Sequence, residues 1–457
     1  MEELKIASDL TVQDTTVIRN LIDDVRRYRD QDVDRDRDEG YASHESSGKP
    51  SPGPDTDEDE EPTCRGVLLQ RDEADIAQLK RMGDLASDEF EPSIMSSLDL
   101  RDIKARAPTF VYRFIVEPYV AWGRTMVRHD TDVIMLTHLI LYLTTSVGSA
   151  AILFWRPSIV HGLLHAIMQG YYMGPYTLMM HQHIHMNGIL AKTPILSLVD
   201  KYFPYVTDPL MGHTWNGYYY HHVKHHHVEG NGPFDLSSTI RYQRDDLFNF
   251  LHYLGRFYFF IWFDLPRYFI GKGQYRTAAR AGFSEVANYA FLITVTRLNP
   301  KAATFVFLLP VIFMRIALMV GNWGQHAFVD ADEPDSDFRS SITLIDVPSN
   351  RHCYNDGYHT SHHLNPRRHW RDHPTSFLQQ KQTYIREKAL VFHDIDYFMI
   401  TVRLLRKDYH HLARCLVPMG DQIPMSIDER AEMLRRHTRR FSEEEIREKF
   451  SSYFKNK

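Results

Sequence analysis

Cysteine is scarce: the 457 residues hold three, Cys64, Cys353 and Cys415, far apart and in no CxxC pair. That excludes a disulfide framework and a thiolate metal site. Basic residues are in deficit, and a net charge of -6 argues against a nucleic-acid partner. The first residues are acidic and lack an apolar core segment, so no signal peptide is expected there. Apolar character is low on average, with 25% charged residues and a mean hydropathy of -0.39, so it must be concentrated in a few segments. Histidine, by contrast, is abundant: of 26, nine lie between His181 and His227.

The chain divides into three parts. Residues 1–100 carry alternating acids and arginines from Asp23 to Glu39, a Ser/Gly/Pro stretch from Ser46 to Pro54 and an acidic run from Asp55 to Glu61. Such a segment buries too little apolar surface to offset chain entropy, so most of it is expected to be disordered, with amphipathic docking pieces near Thr15–Tyr28 and Asp72–Ala86. Residues 101–416 hold the apolar segments, and 417–457 form a charged tail. Within the middle part, 133–155 is an apolar run long enough to cross a bilayer, and 159–180 is uncharged throughout. The break Arg156-Pro157-Ser158 makes the two a hairpin. Segments 283–298 and 302–320, parted by Asn299-Pro300-Lys301, are expected to form a second, while Leu251–Ile270, with Arg256, Asp264 and Arg267, suits an interfacial helix. A soluble part follows from 321, in which a helix from Asp394 to Leu416 is expected to rest on the membrane through Tyr397, Phe398, Val402 and Leu405. Arginines and a lysine crowd the approach to the first span, which places the amino terminus and the end of the second span on the cytoplasmic face.

The histidines cluster beyond the spans. HQHIH puts His181 and His185 one helical turn apart, with His183 pointing elsewhere. HHVKHHHVEGN contains HxxxHH (His222, His226, His227), the favoured pattern, and HxxHH (His222, His225, His226), which leaves His225 as an alternative ligand to His227. Glu229 either orients a ligand or caps the helix, and His213 upstream is ambiguous. NWGQH adds His326 and, as a weak oxygen ligand, Asn322. YNDGYHTSHHLNP gives His359, His362 and His363, with Asp356 a candidate to fix the orientation of an imidazole. The preferred ligands total nine, too many for one ion and suited to two. Imidazole does not itself choose among iron, zinc, copper and nickel; the lack of carboxylates at matching positions sets the pattern apart from soluble ferritin-like bundles. A competing HxxxH, His161 and His165, begins about 30 Å along the helix from His181 and falls near the opposite membrane face.

From about residue 130 to 400 the chain resembles the integral-membrane fatty acid desaturase superfamily, which also includes alkane and lipid hydroxylases. The resemblance rests on HQHIH, HHVKHHH, NWGQH and HTSHH in that order. It implies an all-α membrane protein with about four transmembrane helices in two hairpins under a cytoplasmic di-iron cap. It also implies two non-haem iron ions, molecular oxygen, a fatty acyl or lipid substrate and an external electron donor. Two departures matter. HxxxHH is a spacing shared with the alkane hydroxylase branch, which leaves the reaction outcome open. The absence of the HPGG motif of a fused cytochrome b5 domain means a separate donor, cytochrome b5-like or ferredoxin-like.

The expected reaction is introduction of a double bond by hydrogen abstraction from an unactivated CH2 group, with hydroxylation or acetylene formation as the alternative on the same scaffold. The expected location is the endoplasmic reticulum membrane, multi-pass, with both termini cytoplasmic and no dilysine signal at Lys455-Asn456-Lys457. A rival of another class, a membrane metal transporter or zinc-binding protein, would place histidines or acids within the spans. Here the dense clusters follow them.

Overall fold

The computed structural model describes residues 10–42, 64–95 and 100–455. The Ser46–Pro54 stretch, the acidic run Asp55–Glu61 and the closing Asn456-Lys457 lie outside the described residues. Helices dominate, but the all-α expectation omits a small sheet: Ile342–Ile345 pairs in parallel with Leu390–His393. Both strands are fully buried, as the apolar runs ITLI and LVFH require of a parallel pair covered on both faces.

Among the described residues, two helical stretches are long and apolar enough to cross a membrane, the 23 residues Val133–Trp155 and the 26 residues Pro300–Gln325. Two more, Ile159–Met186 (28 residues) and Tyr275–Leu298 (24 residues), have the length but less apolar sequences. On the first of these, Ile159, Val160, Leu163, Leu164 and Ile167 are 52–71% exposed along one helical face, an apolar stripe that water would not favour. The breaks between helices are chemically sharp. Ser158 accepts from the His161 N–H and Asn299 from the Ala302 N–H, each satisfying an otherwise unpaired donor, with Pro300 at the first helical position.

Leu247–Gly271 is one helix running back along Tyr275–Leu298, its Arg256 and Asp264 paired at 3.4 Å. The helix expected from Asp394 to Leu416 is instead two, Tyr397–Leu405 and Tyr409–Cys415, because Lys407 takes a left-handed φ of 56°. Phe398 and Val402 face outward, whereas Tyr397 is buried and donates its hydroxyl to the Gly357 carbonyl at 2.9 Å.

The described residues of both end regions pack against the middle part. The amphipathic piece Thr15–Tyr28 lies within helix Val12–Ala42, the piece Asp72–Ala86 only in part within Cys64–Gly83, and Val17, Ile18, Leu21 and Leu79 are buried in one cluster with Tyr358, Phe377 and Tyr384. Residues 417–455, set apart by sequence as a tail, fold over the middle part. Helices Ile427–Arg436 and Glu443–Lys449 each begin with a Ser/Glu capping box, and the fully buried Arg244 donates to the carbonyls of Ala327, His437 and Arg439. Charge here is spent on tying segments together.

Candidate metal centre

Helix Ile159–Met186 carries His181 and His185 in its last two turns and ends at Asn187, left-handed at φ 56°. The second box lies on a π-helical stretch, Tyr219–His226, before the short turn His227–Glu229. A π-turn is wider than an α-turn, so residues five apart come to share a face. His222 and His227, five apart, thereby reach one group of histidines, while His226 faces another. His326 caps the carboxyl end of Pro300–Gln325, and the third box occupies the short helix His359–Leu364. Just before it Tyr354 and Asn355 are both left-handed at φ 55°, at a cost of about 1–2 kcal/mol each. Tyr354 Oη meets His138 Nδ1 at 2.8 Å and Asn355 donates to the Trp370 carbonyl at 3.0 Å, contacts that hold the turn. Gly357 is required there, since a Cβ would come within 2.3 Å of Asn350 Oδ1 and 2.4 Å of the Leu344 carbonyl.

The nine histidines preferred from sequence fall into two groups, His181, His185, His222, His227 and His362, and His226, His326, His359 and His363. In the first, four Nε2 atoms form a closed ring: His181 to His222 2.9 Å, His222 to His227 3.1 Å, His227 to His362 2.7 Å and His362 to His181 2.9 Å. A square of such an edge has its corners about 2.1 Å from its centre, the length of a metal–imidazole bond. Imidazole lone pairs that converge so closely repel one another unless a proton or a metal cation lies among them. His185 Nε2 is buried without a hydrogen-bond partner, as a fifth donor would be.

In the second group the far ring nitrogens define the tautomers. His226 Nδ1 donates to Asp235 at 2.8 Å and His326 Nδ1 to the Ser340 carbonyl at 2.7 Å, while His363 Nδ1 faces Asp337 at 3.4 Å. Each leaves Nε2 as the lone-pair donor, and that of His363 is buried and unpartnered. The groups adjoin, the His227 and His363 rings lying 5.1 Å apart. Burial, reinforced by neighbouring imidazoles, holds His181, His222, His227, His326, His359 and His362 well below the ordinary histidine range. Neutral imidazoles are the form that binds a metal.

The other sequence candidates stand apart from both groups. His225 is fully buried, its Nε2 3.2 Å from the Phe234 carbonyl, and it groups with His221 and Asp235 instead. Glu229 accepts from Tyr268 at 2.5 Å and pairs with Lys272 at 2.7 Å, so it neither touches a preferred ligand nor merely caps. The Asn322 amide donates to the Ser237 carbonyl and Tyr253 hydroxyl. Asp356, pushed up to about 7 by burial, makes no side-chain hydrogen bond to an imidazole. His183 meets the Asp200 carbonyl, His213 meets Thr177, and His161 and His165 share Ser149.

Sequence reasoning missed Asp235, Asp337 and the Ser340 carbonyl. Asp235 carried a signal: an acid within ten residues of a histidine box, in a Gly/Pro turn that returns the chain to it. Asp337 and Ser340 had none, being brought to His363 and His326 by the fold alone.

Two adjoining groups of histidines that could each hold a metal ion thus lie beyond the ends of the long helices Ile159–Met186 and Pro300–Gln325. A family model described as fatty acid desaturase matches residues 155–391, just over half of the chain, and the chain belongs to that family. Its members are oxidoreductases of lipid metabolism that act on fatty acyl groups with oxygen and generally use iron. Comparison with curated proteins and with solved structures found no match.

Proposed function

We propose that the chain is an integral-membrane fatty acyl desaturase with one non-haem iron in each histidine group. The observation that carries this reading is the ring of Nε2 atoms beside a second group of four. His181, His185, His222, His227 and His362 would hold one ion and His226, His326, His359 and His363 the other. When bound, the two irons supply the redox chemistry by which oxygen removes hydrogen from an unactivated CH2 group.

The protein's residues position and seclude. Asp235, Asp337 and the Ser340 carbonyl fix imidazole orientation, and burial of all nine rings but His222 and His227 below one-tenth exposure keeps water from the donors. A narrow pocket with Phe257, Ile261, Leu265 and Leu318 in its walls reaches Tyr218, whose ring lies 5.0 Å from that of His222. An acyl segment in this pocket would be separated from the first group by one aromatic ring. The Glu285–Arg315 pair in its lining, 2.7 Å apart, is mutually neutralised and so demands no charged ligand. Four spans, 133–155, 159–180, 283–298 and 302–320, would place the boxes together on the cytoplasmic side of the endoplasmic reticulum membrane, where a separate cytochrome b5-like or ferredoxin-like protein supplies electrons.

The test is a mass-spectrometric lipid profile of a host making the chain, set beside one making His362→Ala. An acyl product lighter by two hydrogens, absent from the variant, is expected. A product heavier by one oxygen atom would move the reading to hydroxylation. Tight zinc without oxygen consumption would overturn it in favour of a metal-handling protein.

A further inference from the structure

The third box is braced from behind by the amino-terminal helix. Asp14, 1% exposed, accepts from the Tyr358 hydroxyl at 2.7 Å through Oδ1 and from Asn350 Nδ2 at 3.0 Å through Oδ2. Tyr358 directly precedes His359, and its own carbonyl accepts from the His362 N–H at 3.0 Å. Asn350 Oδ1 accepts from the Gly357 N–H at 2.8 Å, and its Nδ2 donates also to the Leu344 carbonyl at 3.0 Å. One carboxylate thus grips both ends of the turn that contains the left-handed Tyr354 and Asn355 and leads into His359.

The helix has other means of attachment. Val17, Ile18, Leu21 and Ile22 are buried, and Lys381, 1% exposed, donates to Asn20, Asp24 and Asp72 at 2.9, 2.7 and 2.6 Å. Arg351 donates to the Leu10 carbonyl at 2.7 Å. With that much anchorage in place, a buried carboxylate adds a desolvation cost that an apolar residue would avoid. What it adds in return is direction, because its two oxygens are aimed at the two residues that shape the turn.

We infer that Asp14 is a positioning residue for the metal centre, and that the amino-terminal helix is part of the centre's support. This rests on the proposed reading of the histidine groups. The third box gives the four-histidine group two of its four ligands, His359 and His363, but the five-histidine group only His362, one of five, so disturbance of the brace should empty the four-histidine group first.

The full-length protein, purified with iron, tests this through iron per chain and 57Fe Mössbauer spectra beside thermal stability. Asp14→Ala should lower iron about twofold and remove one of two Mössbauer components. Leu21→Ala, which loosens the same helix without touching the brace, should lower the melting temperature and keep both irons. Tyr358→Phe, which deletes only the hydroxyl, should shift the same component and carries the test if Asp14→Ala does not accumulate. Unchanged iron and spectra in Asp14→Ala or Tyr358→Phe would overturn the inference. So would equal iron loss in Leu21→Ala at matched loss of stability, which would make the helix a general stabiliser. A parent protein that binds no iron would overturn the metal-centre reading itself.

Discussion

In the four-histidine group three imidazoles rest on oxygen: His226 on Asp235, His363 on Asp337 and His326 on the Ser340 carbonyl. In the five-histidine group, among the described residues, no carboxylate lies within ion-pair distance of any ring, and His362 Nδ1 is buried with no partner. The two groups share ligand type and adjoin, but one is held by its surroundings and the other mainly by the convergence of three chain segments. An imidazole backed by a carboxylate is a better-oriented and more basic ligand. The four-histidine group is therefore expected to bind its ion the more tightly, and the five-histidine group to yield its ion first to a chelator.

The harshest way to break the comparison is to remove one ring from each side. His362→Ala and His363→Ala should each abolish product and leave roughly one iron per chain, measured by elemental analysis of protein still in the membrane. If the groups are unequal, the iron left in His362→Ala should withstand chelation longer than that left in His363→Ala. Full activity in either variant would dismiss that residue as a ligand.

A second asymmetry concerns pH. Burial, only partly offset by the hydrogen bonds from Tyr358 and Asn350, raises Asp14 from 3.8 to about 6. A carboxyl raised on folding favours the folded state while protonated; its contribution is whole below 3.8 and lost as pH rises through about 6. The displacement corresponds to about 3 kcal/mol. Asp14→Asn cannot titrate, so the stability of the parent relative to this variant should fall by that order between pH 4 and 7. Melting temperatures of both proteins across that range check it; parallel curves would show that the helix does not bury Asp14 in solution.

Smaller and more selective is Asp235→Asn. It keeps the volume but weakens the acceptor for His226, and should lower the affinity of the four-histidine group by roughly 10–100-fold while sparing the other. Competition with a chelator, followed by the loss of each Mössbauer component, separates the two. Equal weakening of both sites would mean that Asp235 acts on the whole centre.

That the boxes would meet was legible because residue type and spacing repeat among them, and the helix Val133–Trp155 was legible because of its unbroken apolar run. The division of nine rings into five and four was not legible. His226 and His227 are neighbours in sequence yet join different groups, since the π-helical stretch turns them apart. The brace was hidden for another reason. Asp24 belongs to the acidic stretch that suggested disorder, yet with Asp14 and Asp72 it fastens the helices to Tyr358, Asn350 and Lys381, partners some 300 residues away in the chain.

The least effect is expected where the sequence left two patterns open. HxxxHH makes His227 a ligand; HxxHH would make it His225. In the structure His227 closes the Nε2 ring, 2.7 Å from His362, while His225 sits edge-on to Tyr268 with ring centroids 4.4 Å apart and meets the Phe234 carbonyl. His225→Gln preserves a polar atom near that carbonyl, so it should cost about 1 kcal/mol in stability and leave both irons and the product unchanged. His227→Gln should instead open the ring and strip iron from the five-histidine group alone. The reverse result, iron lost from His225→Gln and kept in His227→Gln, would assign the second box to HxxHH and dissolve the ring on which the five-histidine group depends.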